Sequence, residues 1–191
     1  MRPAMKVIAG IMRLRRRLAA DVRGAAAVEF AALLPFMLLL YIGGVEVGEA
    51  VSADRRVTMT SRTVADLASR QTTVATADLT NILNASSAVM APFNPSDVQV
   101  IVSQVIIDVH GNATIEWSQA LNTTARPTGQ PVTVPSALIT PGQVTYLMWG
   151  EATYLYTPTL GYYMTGTLTL YDSIYMVPRM STCVALNGTT C

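Results

Sequence analysis

The chain has 191 residues, 51% of them hydrophobic, and a formal charge of +1; that is enough for one domain with an appendage, since compact domains run to about 100–200 residues. The near-neutral total hides an asymmetry. Residues 1–24 hold seven of the 13 basic groups (Arg2, Lys6, Arg13, Arg15, Arg16, Arg17 and Arg23) against Asp21, whereas the remainder carries six basic and eleven acidic groups, a net charge of −5. A nucleic-acid binder would place its Lys and Arg on the folded part, so that class is set aside.

Behind the basic leader, residues 1–24, comes Gly24-Ala25-Ala26-Ala27-Val28-Glu29-Phe30, and then an uncharged apolar run to Val45. A basic flank followed by such a run directs insertion into a membrane with the basic side in the cytoplasm. From Ala25 to about Gln71 the pattern is helical, broken in principle only by Pro35, which a membrane span tolerates. At 1.5 Å per residue this helix exceeds a bilayer, so its second half must leave it. Glu46, Glu49, Asp54, Arg55 and Arg56 mark that exit, and Val57, Val64, Leu67 and Ala68 continue a narrow apolar stripe opposite Arg62, Asp66 and Arg70. Gly44 and Gly48 form a small-xxx-small pair that would admit close helix contact.

Thr76-Ala77-Asp78 reads as the N-cap of a second helix, Leu79 to about Met90, stopped by Pro92 and Pro95. At Asn94-Pro95-Ser96 the period changes. Val98 to Val109 is rich in β-branched residues, His110-Gly111-Asn112 is a turn, and Ala113, Ile115 and Trp117 alternate with Thr114, Glu116 and Ser118, which predicts a hairpin. Leu121 to Pro131 reads as an exposed loop. Two more extended runs follow, Val144 to Thr157 and Met164 to Val177. Four runs in hairpin order predict an antiparallel sheet with one buried face, covered by the N-terminal helix. The fold class expected is α+β: residues 25–46 a transmembrane helix, 47–96 an extramembrane helical region and 97–191 an antiparallel sheet domain.

Catalytic chemistry finds little support. His110 is the sole histidine and sits in a predicted turn, there is no phosphate-binding glycine loop, and Glu116 and Glu151, the only candidates for paired carboxylates in the sheet, read as solvent-facing strand residues. Neither an enzymatic activity nor a cofactor, metal or small-molecule substrate is expected. Trp149 and the tyrosines of the last two runs read as core and cross-strand partners rather than a binding surface. Cys183 and Cys191 lie eight residues apart with no metal-ligand spacing; outside the cytoplasm a disulfide between them is the favoured state, and otherwise they are two unrelated thiols.

Gly24 followed by Glu29-Phe30, behind a basic leader and ahead of an apolar run, resembles the prepilin peptidase site of type IVb pilins and pseudopilins. Residues 25–35, Ala-Ala-Ala-Val-Glu-Phe-Ala-Ala-Leu-Leu-Pro, resemble the start of the TadE-like minor pilins of the tight-adherence (Flp) system, and Trp117-Ser118-Gln119-Ala120, Leu138-Ile139-Thr140-Pro141-Gly142, residues 151–158 and Val177-Pro178-Arg179 are similar to that family's recurring segments. The resemblance implies a pilin-like, single-pass inner-membrane protein with its C-terminal domain in the periplasm. It also implies cleavage between Gly24 and Ala25 by a prepilin peptidase, and partnership with other pilin subunits in pilus assembly. Glu29 would then lie five residues into the mature chain, where the α-amine of a neighbouring subunit could neutralise it. The rival expectation is a secreted binding or enzyme domain whose ordinary signal peptide is cut near Ala50.

Overall fold

The structure, a computed structural model, describes residues 24–158 and 166–188. The chain divides into two units, Met1–Val45 and Glu46–Cys191. In the first, helix α1 begins at Ala25 and passes through Pro35 without a break, ending in the second unit at Ser69. Within Glu46–Cys191, Ala53, Val57, Val64, Ala65 and Ala68 are fully buried. Val57, Val64 and Ala68 are as the period predicts, while Leu67 is only half-buried. Thr60 and Ser61 are buried too, and their hydroxyls donate to the carbonyls of Arg56 at 2.9 Å and Thr58 at 3.0 Å. A buried hydroxyl is tolerated where it finds such a partner.

Strand β1 (Thr73–Val74) leads into helix α2 (Thr76–Ser87). The helix starts three residues ahead of the expected Leu79, with Thr76-Ala77-Asp78 inside its first turn: Ala75 occupies the cap, and the Asp78 carboxylate accepts from its N–H at 3.1 Å. The Thr76 N–H finds its acceptor far along the chain, in Asn187 Oδ1 at 3.1 Å. A helix N-terminus needs acceptors from somewhere, and here a residue 111 positions away supplies one.

The sheet domain holds β2 (Val98–Ile107), β3 (Ala113–Leu121), β4 (Pro131–Val132), β5 (Thr145–Tyr156) and β6 (Leu168–Met176), in the order β4-β3-β2-β5-β6 with every pair antiparallel. Consecutive hairpins account for β2–β3 and β5–β6. The third pairing departs from hairpin order, because β5 lies against β2 rather than β3, which leaves the Val- and Ile-rich β2 as the central strand. The β2–β3 turn is held by Asp108, whose carboxylate accepts from the backbone N–H of His110 and Asn112, both at 2.8 Å, with Gly111 at φ +87°. The side-chain and backbone hydrogen bonds from Asn112 hold the Asp108 carboxyl below its ordinary range. A separate parallel pair joins β1 to β7 (Ala185–Leu186).

Both faces of the sheet are covered, where one buried face was expected. Residues alternate between faces along a strand: Met148 and Ala152 of β5 pack in the core that holds Ala53, Val57 and Val64 of α1, while Leu147 and Trp149 join Val105, Ile107, Ile115 and Val134 in a second cluster, flanked by Val132, Leu138 and Ile139. The expected alternation of Ala113, Ile115 and Trp117 on one face is also broken. The register skips between Gln104 and Val105, which face Trp117 and Ile115, so Glu116 is an extra residue in β3. This bulge turns Trp117 into the helix-side core while Ala113 and Ile115 stay in the other. Gln104, 1% exposed, binds the Glu116 side chain and accepts from the Val184 N–H at 2.6 Å; Trp117 Nε1 donates to the Val184 carbonyl at 2.8 Å. The bulge therefore also creates the dock for the C-terminal strand.

Gly150 is where α1 meets the sheet. A Cβ there would lie 2.9 Å from Ala65 Cβ and 3.0 Å from Val64 Cγ1, and would collide with the Ser61 carbonyl.

Candidate functional site

Gly24 immediately precedes α1, and Gly24, Ala25, Glu29 and Phe30 are all exposed. Nothing lies within 4 Å of a Cβ built on Gly24. The described fold therefore makes no steric demand for glycine at this position, in contrast to Gly150. The same holds for Gly43, Gly44 and Gly48 inside α1, although glycine in a helix interior costs about 0.5–1 kcal/mol relative to alanine.

The apolar side chains that follow are turned outward: Val28 is 70% exposed, Phe36 68% and Leu40 78%. Leaving this much apolar surface in water is unfavourable at roughly 25 cal/mol per Å², and contiguous patches of this kind mark membrane or protein contact. Among the described residues α1 is the one helix long and apolar enough to cross a membrane. Glu29 is the only charged residue between Ala25 and Val45. A single N-terminal apolar helix of this kind fits a single-pass membrane pilin.

Of the cysteines, Cys183 is 3% exposed and has a bonding partner, while Cys191 lies outside the described residues. Residues 1–23 of the basic leader lie outside them as well. His110 sits in the hairpin turn, with its Nδ1 3.9 Å from Asp108. Among the described residues no three His, Cys, Asp or Glu side chains are grouped to hold a metal ion.

One charged constellation was misread from sequence. Glu151 is not solvent-facing: it is 3% exposed, and both its oxygens accept from Arg126, from Nε and Nη2, each at 2.7 Å. Arg126 belongs to the segment read as an exposed loop, and its guanidinium lies 4.3 Å over the Trp149 ring, which stacks on Tyr175 at 5.3 Å and 14°. The Tyr171 hydroxyl donates to Glu151 Oε1 at 3.0 Å. Donation to the Glu151 carboxylate raises the Arg126 pKa further. The same loop binds the outer edge of β3, with Gly129 N–H on the Ile115 carbonyl at 2.7 Å and Ile115 N–H on Gln130 at 3.0 Å. The pair is a clasp that folds this loop over a strand edge, as sheet proteins need. The available signal was an arginine inside a Pro- and Thr-rich loop, with no partner nearby in sequence.

Burial, and after it the Glu151 carboxylate, pushes the Tyr175 phenol up to about 12. An unfolded phenol releases its proton near pH 10, so between about pH 10 and 12 the unfolded state alone has lost it and stability falls as pH rises. Alkaline unfolding of Tyr175→Phe is expected to show a shallower loss over that window than the parent chain.

The family model described as TadE-like protein matches residues 24–66. No curated protein and no solved structure matches the chain. The matched segment opens on Gly24 and ends inside α1, so it spans the glycine-to-glutamate spacing, the apolar run and part of the helix that packs on the sheet. Over residues 24–66 this chain, an α+β protein with one long apolar N-terminal helix, is similar to the TadE-like pilin family of the tight-adherence system.

Proposed function

We propose that the chain is a minor pilin, or pseudopilin, that supports assembly of a tight-adherence pilus after a prepilin peptidase cuts it between Gly24 and Ala25. The observation that carries this reading is the TadE-like match starting at Gly24, a glycine for which the described fold has no steric use. A site whose backbone must enter an enzyme cleft does favour glycine. The new α-amine at Ala25 and the Glu29 carboxylate then neutralise one another between neighbouring subunits at the shallow edge of the membrane, where an unpaired carboxylate costs about 2.5–3.5 kcal/mol or less according to depth. The leader stays in the cytoplasm by the positive-inside rule, and the sheet domain lies in the periplasm or on the fibre. Outside the cytoplasm, Cys183 pairs with Cys191.

Cleavage near Ala50 would instead cut α1 just ahead of Ala53 and Val57, two of its wholly buried residues. For the proposed reading, Gly24→Val is expected to leave insertion intact and to abolish processing, so that the chain keeps its leader on a denaturing gel. Normal processing of Gly24→Val would contradict it.

A further inference from the structure

Among the described residues of Glu46–Cys191, two surfaces of opposite character stand out. One is a groove at the end of β5. A cavity of about 280 Å³ lined by Glu49, Phe93, Asp97, Leu155 and Tyr156 continues into one of about 410 Å³ that shares Asp97 and Leu155. Its wall is aromatic, with Phe93 5.9 Å from Tyr154 and 6.4 Å from Tyr156, and Leu155 is 45% exposed. Among the described residues no Lys or Arg lines either cavity.

The other surface is the outward side of α1. Arg55, Met59 and Arg62 recur at helical spacing, all exposed, with Met59 at 54%. Arg55 and Arg62 take part in no ion pair among the described residues, whereas Arg70 and Arg179 both hold Asp66 and Arg56 donates to the Val89 carbonyl. Two cations flanking a methionine match two carboxylates flanking an aromatic and aliphatic floor, because arginine stems and a thioether both pack on rings while the guanidinium meets the carboxylate.

We propose that the Glu49–Asp97 groove receives the Arg55–Met59–Arg62 stripe of a second copy of this chain. This rests on the assembly reading above. Copies anchored by one helix share an orientation, so the contact joins two different surfaces of neighbouring copies and is heterologous rather than a two-fold dimer. The stripe lies 6 to 13 residues beyond Glu49 along α1, an axial offset of about 9–20 Å at 1.5 Å per residue. Copies at equal depth in a membrane do not reach each other this way; copies displaced along a fibre axis do.

The test is a photo-activated cross-linking residue at Met59 of the full-length chain, in cells that assemble the pilus. The expected product has twice the mass of the chain, with the label on Phe93, Leu155 or their neighbours. Arg55→Glu with Arg62→Glu is expected to cut its yield about tenfold or more through like-charge repulsion, and co-expression with a Glu49→Arg, Asp97→Arg chain to restore it. The absence of a self-product, capture of a different protein alone, or a yield indifferent to the reversals would overturn the proposal. The N-terminus of the same sample separates the two claims: chains starting at Ala25 without the product sink the contact alone, and a product on chains that keep Met1 sinks the processing alone.

Discussion

Replacing Gly150 with alanine is expected to destabilise the sheet domain by about 2–3 kcal/mol, the upper part of the range for forcing a methyl group into a well-packed core, and to lower its unfolding temperature by about 4–12 °C. The added Cβ would meet Ala65 Cβ at 2.9 Å and Val64 Cγ1 at 3.0 Å, and its worst clash is with the Ser61 carbonyl, which as helix backbone cannot rotate aside. Relief must come from lifting α1, and with it Ala53, Val57, Val64 and Ala68, off the core they share with β2 and β5. Gly150→Val should be worse. Gly48→Ala is the control, since its Cβ enters open space and a helix interior prefers alanine; its stability should hold or rise slightly. Thermal unfolding of the detergent-solubilised full chain reads all three. Equal transitions for Gly150→Ala and the parent would mean that the helix does not lie on β5.

Arg126→Ala is expected to cost about 3 kcal/mol, the low end for removing one partner of a buried ion pair because the arginine itself is partly exposed, at 28%. What remains is a carboxylate 3% exposed, with Tyr171 as its one donor outside the lost pair. Trp149 also loses the guanidinium over its ring, and the loop loses its tie to the sheet. Arg70→Ala provides the contrast: its side chain is 57% exposed, and its partner Asp66 keeps Arg179 at 2.8 Å. Exposed pairs contribute about 0–1 kcal/mol, so denaturant midpoints should separate the two variants clearly. A similar small loss in both would show that the clasp has no special role. If the loop does guard an edge, Arg126→Ala should also increase β-type association at high concentration.

Local rules were enough for the helices. A 3.6-residue apolar period and the absence of breakers other than Pro35 marked α1 to within two residues of its end at Ser69, and Pro92 and Pro95 bounded α2. The hairpin turn at His110-Gly111-Asn112 was also readable, though the residue that organises it, Asp108, is recognised only once its two 2.8 Å acceptor contacts are seen. What failed was long-range. Alternation cannot reveal a bulge, and the extra residue Glu116 sends Trp117 to the opposite face from Ile115. Composition cannot reveal which strand lies beside which, so β5 next to β2 and the burial of Glu151 under Arg126 both went unread. Gly150 did carry a signal, because a glycine within a strand often marks close approach of another backbone.

In the N-terminal segment, by contrast, the informative features are ones the described fold leaves unused. Gly24 has open space around it, Val28 to Tyr41 expose their apolar side chains, and Glu29 stands as a charge inside that run. Features without an intrachain purpose are what a processing enzyme, a bilayer and neighbouring subunits would require. The mass of the mature N-terminus, from cells with and without the prepilin peptidase, tests this most directly. The account predicts a chain beginning at Ala25 in the first and one retaining its leader in the second; a chain that begins at Met1 in both, or near Val51, would contradict it.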